Sequence, residues 1–118
     1  MRYVDGFVLP VPEENIKLYQ GIAKKAGKIW KEHGALEYIE AVGDDLENFG
    51  VPFTKAVKLK PGEVPFFSFI VFKSRADRDK VNKKVMSDPR LKKMMENGPC
   101  PFEVKRMVYG GFKVLVDM

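Results

Sequence analysis

From Tyr3 to Leu9 the chain is a short β-rich run in which odd positions (Tyr3, Asp5, Phe7, Leu9) and even positions (Val4, Gly6, Val8) are both largely apolar. Two apolar faces predict a central strand covered on both sides, and Pro10 and Pro12, which cannot donate to a ladder, predict its end. From Pro12 the period changes. Ile16, Tyr19, Ala23, Ala26, Trp30 and His33 recur at steps of three and four, with Ile22 and Ile29 widening the stripe, which predicts a long amphipathic helix. Glu13 and Glu14 suit the positive end of its dipole, His33 the negative end, and Gly34 a left-handed terminating residue. Gly21 and Gly27 cost roughly 1 kcal/mol each against alanine, so packing must hold this helix.

Leu36 to Val42 reads as an amphipathic edge strand, with Leu36, Tyr38, Glu40 and Val42 on one face and Glu37, Ile39 and Ala41 on the other. An irregular stretch runs from Gly43 through Asn48 to Pro52, and Lys60-Pro-Gly-Glu63 is a turn; between them Phe53 to Leu59 fits one helical turn or a short strand. Pro65 to Phe72 is apolar on both faces and predicts a third strand. Ser74 caps a second helix, with Asp77 at the capping-box distance and Val81, Val85 and Met86 inward. Asp88-Pro89 opens a short extra helix ending near Asn97-Gly98. Lys105 to Val116 is the last strand, its Gly110-Gly111 pair predicting a bulge or a close backbone approach.

The order β-α-β-β-α-β over residues 1–118 predicts one α+β domain of the ferredoxin-like kind, with both main helices on one face of the sheet. The opposite face is then an apolar surface of several hundred square ångströms, which monomers rarely expose. A second copy placed sheet to sheet covers it, giving a homodimeric α/β barrel.

Composition adds boundaries. Hydrophobic residues at 45 % beside charged residues at 31 % describe a globular chain rather than a disordered one. Its apolar runs fall far short of the roughly 20 residues a membrane span needs, and no basic segment followed by an apolar one opens the chain, so a cytoplasmic location without membrane partners is expected. The net charge of +5 raises the prospect of a polyanionic partner, but the lysines lie on predicted helices, where a solvated face accounts for them. The single cysteine, Cys100, between Pro99 and Pro101, excludes an internal disulfide and has no neighbouring Cys or His at metal-ligand spacing. With one histidine, the chain offers no multi-histidine metal site, and no cofactor motif is complete.

Candidate chemistry rests on a few residues. His33 follows Trp30 on the apolar stripe and is the first choice for a general base; otherwise it bonds the last carbonyls of its helix. Asp5, a carboxylate within an apolar strand face, either pairs with an arginine such as Arg106 or sits in a functional cavity. Glu37, Tyr38 and Tyr109 can line that cavity by strand geometry, with Trp30 beside them. Arg78 and Asp79 read as surface or interface ion-pair residues.

Tyr3-Val-Asp-Gly-Phe-Val, Trp30-x-x-His33-Gly34-Ala35-Leu36-Glu37-Tyr38, Ala56-Val-Lys, Ser74-Arg-x-x-Arg78-Asp79, Val85-Met-x-Asp88-Pro89 and Arg106-Met-x-Tyr109-Gly-Gly-Phe112 together resemble the small bacterial YbaA-like family over nearly the whole chain. The resemblance implies a domain of unknown function with the dimeric α/β-barrel form of the ferredoxin-like fold, and no activity. The wider structural class holds cofactor-independent monooxygenases, so a catalyst using His33 or Asp5 as base, with Trp30 and Tyr38 holding a ring, is the second expectation, by analogy of fold. Small-ligand binding is the first. RNA-recognition domains share the element order, and Phe67-Ser-Phe-Ile-Val-Phe72 matches the aromatic half of their third-strand motif, but Pro65-Phe66 replaces the Lys/Arg-Gly pair before it. Nucleic acid is therefore the least favoured partner.

Overall fold

The computed structural model describes all of residues 1–118 except Asn48 and Pro99, so the irregular stretch expected around Asn48 lies at that residue outside the described part. Four strands form one antiparallel sheet in the order β2-β3-β1-β4: β1 (Tyr3–Pro12), β2 (Glu37–Val42), β3 (Glu63–Phe72) and β4 (Val108–Lys113). Helix α1 (Ile16–Glu32) follows β1, a single turn α2 (Phe53–Ala56) precedes β3, and α3 (Arg75–Met86) and α4 (Pro89–Asn97) lead to β4. The doubly apolar strands β1 and β3 occupy the centre and the amphipathic β2 an edge, as the alternation required.

Local chemistry sets the helix ends. The Ser74 hydroxyl accepts from the Asp77 backbone N–H at 3.1 Å, and Asp88 accepts from the Arg90 N–H at 2.9 Å with Pro89 as first helical residue. Gly34 takes φ of +121°, open to glycine at little cost, and lets the chain turn straight from α1 into β2.

Two expectations are corrected. β1 does not stop before Pro10: it runs to Pro12 because Pro10 lies opposite Pro65, while the β4 side of β1 is unpaired beyond Val8 and asks for no donor there. β4 is six residues rather than twelve, since Val104–Arg106 form a 3-10 turn. Of the two alternatives for Gly110-Gly111, the close approach holds and the bulge does not: each keeps a single partner on β1, and the Gly111 backbone lies under Tyr3, whose hydroxyl stands 2.5 Å from where a Cβ would be.

All the larger helices cover one face of the sheet. Between them lie two apolar clusters, one of Ala26, Ile29, Ile70, Phe72, Val81, Val85 and Leu91, the other of Leu9, Val11, Tyr19, Ala23 and Phe66. Met86, expected inside, is half exposed. The opposite face is uncovered. Val4, Val8, Ile39, Phe67, Phe69, Val108 and Phe112 share it by register, with Phe67 at 46 % and Phe112 at 61 % exposure.

Candidate functional site

Strand register places two neighbouring rows of side chains beneath the helices. One row is Tyr38, Ile70, Asp5 and Gly111; the next is Glu40, Ser68, Phe7 and Tyr109. Where the two apolar clusters meet over these rows, a cavity of about 410 Å³ remains, walled by Tyr19 and Trp30 of α1, Asn82 of α3, Leu91 of α4, and Phe102. That is a typical volume for a small-molecule site. Met86, Met95 and Val104 are exposed where they border it and mark its mouth.

Two polar networks project into this apolar space. In the first, Glu40 accepts hydrogen bonds from the Tyr19 hydroxyl at 2.8 Å, the Tyr38 hydroxyl at 2.8 Å and the Ser68 hydroxyl. Burial, and then the Glu40 charge, push both tyrosine hydroxyls far above their ordinary value of 10, so they remain donors. Tyr38 can lie flat against α1 because residue 27 is glycine: a Cβ there would stand 2.7 Å from the Tyr38 ring.

In the second network Asp5, 1 % exposed, receives Arg78 Nη1 at 2.8 Å and Asn82 Nδ2 at 3.2 Å. Asn82 Oδ1 accepts the Trp30 indole N–H at 3.0 Å, and Arg78 Nη1 also donates to the Tyr109 hydroxyl at 3.1 Å. Both oxygens of the buried carboxylate are thereby engaged, which is what its burial demands. The chain of contacts runs Trp30, Asn82, Asp5, Arg78, Tyr109, and ties α1 and α3 to β1 and β4.

The structure thus brings Asp5, Trp30, Tyr38 and Tyr109 together around one cavity. It does not bring His33 or Glu37 there. His33 caps the end of α1 and bonds Asp88 at 2.8 Å, in a cluster with Arg90 and Glu32. Arg90 first, and His33 second, hold the Asp88 carboxyl well below the usual carboxylate range. Glu37 faces away from the cavity by the alternation of β2 and lies 3.8 Å from Arg2. The arginine at Asp5 is Arg78, not Arg106: the β4 residue opposite Asp5 is Gly111, whereas Arg106 precedes β4 and grips Glu63 at 2.6 and 2.8 Å. Arg78 is accordingly no surface residue, although its Nε does reach exposed Asp79 at 2.8 Å. Glu40 went unrecognised in the sequence as a site residue. Its signal was available, because alternation puts it on the Tyr38 face of β2. Among the described residues no group of three or more His, Cys, Asp or Glu side chains is arranged to hold a metal ion, and no helix is long and apolar enough to cross a membrane.

Known proteins share this frame. A nipsnap family protein with unknown function from Agrobacterium tumefaciens superposes with a TM-score of 0.60 at 16 % identity, over 96 % of this chain and 87 % of that one. A dimeric ferredoxin-like protein from an uncultured marine organism superposes with a TM-score of 0.59 at 12 % identity over the full length of both chains. At these identities the likeness concerns the fold alone. In sequence the chain is 43 % identical to the uncharacterized protein YbaA of Escherichia coli K12, and equally to that of Shigella flexneri, over 99 % of each chain. The model of the family described as protein of unknown function (DUF1428) matches residues 2–104, and with that match and the near full-length identity to YbaA the chain belongs to this family.

Proposed function

We propose that the protein binds a small, partly apolar molecule in the cavity between sheet and helices, and that it does so as a homodimer. The observation that carries the first part is the 410 Å³ cavity itself, apolar in its walls yet built around a carboxylate, Glu40, on which three hydroxyls converge. A hydroxyl-ringed carboxylate inside an apolar hollow serves no packing purpose that a leucine would not serve better. Trp30 is the single tryptophan and lines the cavity, so its fluorescence reports on occupancy. Titration with 2-phenylethanol is expected to change that emission saturably, and Met86→Phe, at the mouth, to weaken the response. Unchanged emission together with an unchanged melting temperature, for this alcohol and for its cationic and anionic analogues alike, rejects the reading.

The uncovered sheet face supports the second part. Phe67, Phe69, Phe112, Val4, Val8 and Val108 line one apolar hollow there, and covering it with a second copy buries more than about 1,000 Å² in total, the scale of a specific interface. The structurally similar marine protein is itself a dimeric ferredoxin-like protein, in keeping with this arrangement, a dimeric α/β barrel of ferredoxin-like β-α-β-β-α-β units. A cofactor-independent oxygenase draws less support. Asp5 is engaged by Arg78 and Asn82, and His33 by Asp88, so neither faces the cavity as a free base.

A further inference from the structure

Resting on the cavity reading above, we propose that its ligand carries a protonated amine, which pairs with Glu40 while an apolar body fills the space beside Trp30 and Tyr38. Three O–H groups converge on Glu40, two on Oε1 and one on Oε2, which is the arrangement of an ionised carboxylate accepting at both oxygens. A carboxylate has about four lone-pair positions, so one on Oε2 is left for a ligand. No ion pair among the described residues includes Glu40. Lys24 and Lys28 of α1 are exposed and border the outer groove that Glu40 also touches, without pairing with it.

Asp5 presents a different case, since Arg78 already neutralises it. The cavity is therefore a place of net negative charge inside a chain of net charge +5. Four of its hydroxyl and indole donors are committed as well: Tyr19, Tyr38 and Ser68 to Glu40, Trp30 to Asn82, while the Tyr109 hydroxyl accepts from Arg78. An anionic ligand meets a like charge and finds those donors taken. A cationic one finds the open acceptor, and beside it the Trp30 and Tyr38 rings, whose centroids lie 6.0 Å apart with planes inclined at 34°. Aromatic faces attract ammonium groups electrostatically, tryptophan most of all.

Three probes of matched size separate the outcomes on the native protein: 2-phenylethylammonium, neutral 2-phenylethanol and anionic 3-phenylpropanoate, each titrated against Trp30 fluorescence and checked by calorimetry. The ammonium probe is expected to bind at least about tenfold more tightly than the alcohol, and the carboxylate more weakly than either. In Glu40→Gln, which preserves size and removes the charge, the amine-to-alcohol ratio is expected to collapse to about twofold or less. An equal or reversed order among the probes, or an amine preference that survives in Glu40→Gln, overturns the amine assignment and leaves the cavity reading standing. If none of the three binds, the cavity reading fails and this inference falls with it.

Discussion

The same substitution at two positions of α1 should have opposite effects. Gly21 and Gly27 lie on one helix, and replacing either with alanine recovers roughly 1 kcal/mol of helix propensity. At Gly21 an added Cβ meets nothing within 4 Å, so Gly21→Ala is expected to gain about 0.5–1 kcal/mol. At Gly27 the Cβ would lie 2.7 and 2.9 Å from two ring atoms of Tyr38. That ring cannot simply swing aside, because its hydroxyl is fixed on Glu40 and its face packs near Trp30. Overpacking of this kind costs about 1–3 kcal/mol. The net result for Gly27→Ala is a loss of up to about 2 kcal/mol, and on a chain of 118 residues each kcal/mol moves the melting temperature by about 4 °C. Urea titrations of the two variants beside the parent, monitored by far-ultraviolet circular dichroism, measure the difference. Equal stabilisation in both refutes the claim that Gly27 makes room for Tyr38.

Other consequences can be checked on the same footing. Arg78→Ala leaves Asp5 buried without its cation and should cost about 3–5 kcal/mol, whereas Arg78→Met combined with Asp5→Asn, which removes both charges, should lose clearly less; equal losses in denaturant titration contradict the pairing. Asp88 titrates below its ordinary value of 3.8 in the folded protein, so it contributes stability that is present above about pH 4 and is lost as pH falls toward its folded value. The stability gap between parent and Asp88→Asn, in which asparagine can still cap α4, should therefore shrink between pH 7 and pH 3; a constant gap argues against it. Sedimentation at micromolar concentration should give twice the chain mass of 13.5 kDa, and Phe67→Asp should yield aggregated or unfolded protein, while a well-behaved monomer of the parent removes the sheet-to-sheet dimer.

How far the sequence spoke depended on the range of the interaction. Local signals were legible: the two apolar faces of β1 and β3, the Ser74 and Asp88 caps and the Gly34 turn all depend on a few adjacent residues. Tyr38 and Trp30 were placed in the cavity because helix and strand periods alone set their directions. The partner of Asp5 was not legible, since Arg78 is 73 residues away and any of several arginines suited the charge. Glu40 was hidden by a sound general rule, that a charge on an edge strand faces water; here alternation turns it to the helix side, where hydroxyls from α1, β2 and β3 converge on it. Pro10 misled for a similar reason. A proline ends a strand only where its missing donor is needed, and sheet order decides that.

The cavity between sheet and helices, not the open sheet face, is expected to receive the ligand. Proton–nitrogen correlation spectra of labelled protein titrated with 2-phenylethylammonium test it residue by residue. The single indole Nε1–H, that of Trp30, which donates to Asn82, is expected to shift together with the amides of Tyr38, Glu40, Ser68 and Ile70. Shifts gathered instead at Val4, Phe67 and Phe112, or no shifts with either this probe or 2-phenylethanol, contradict it.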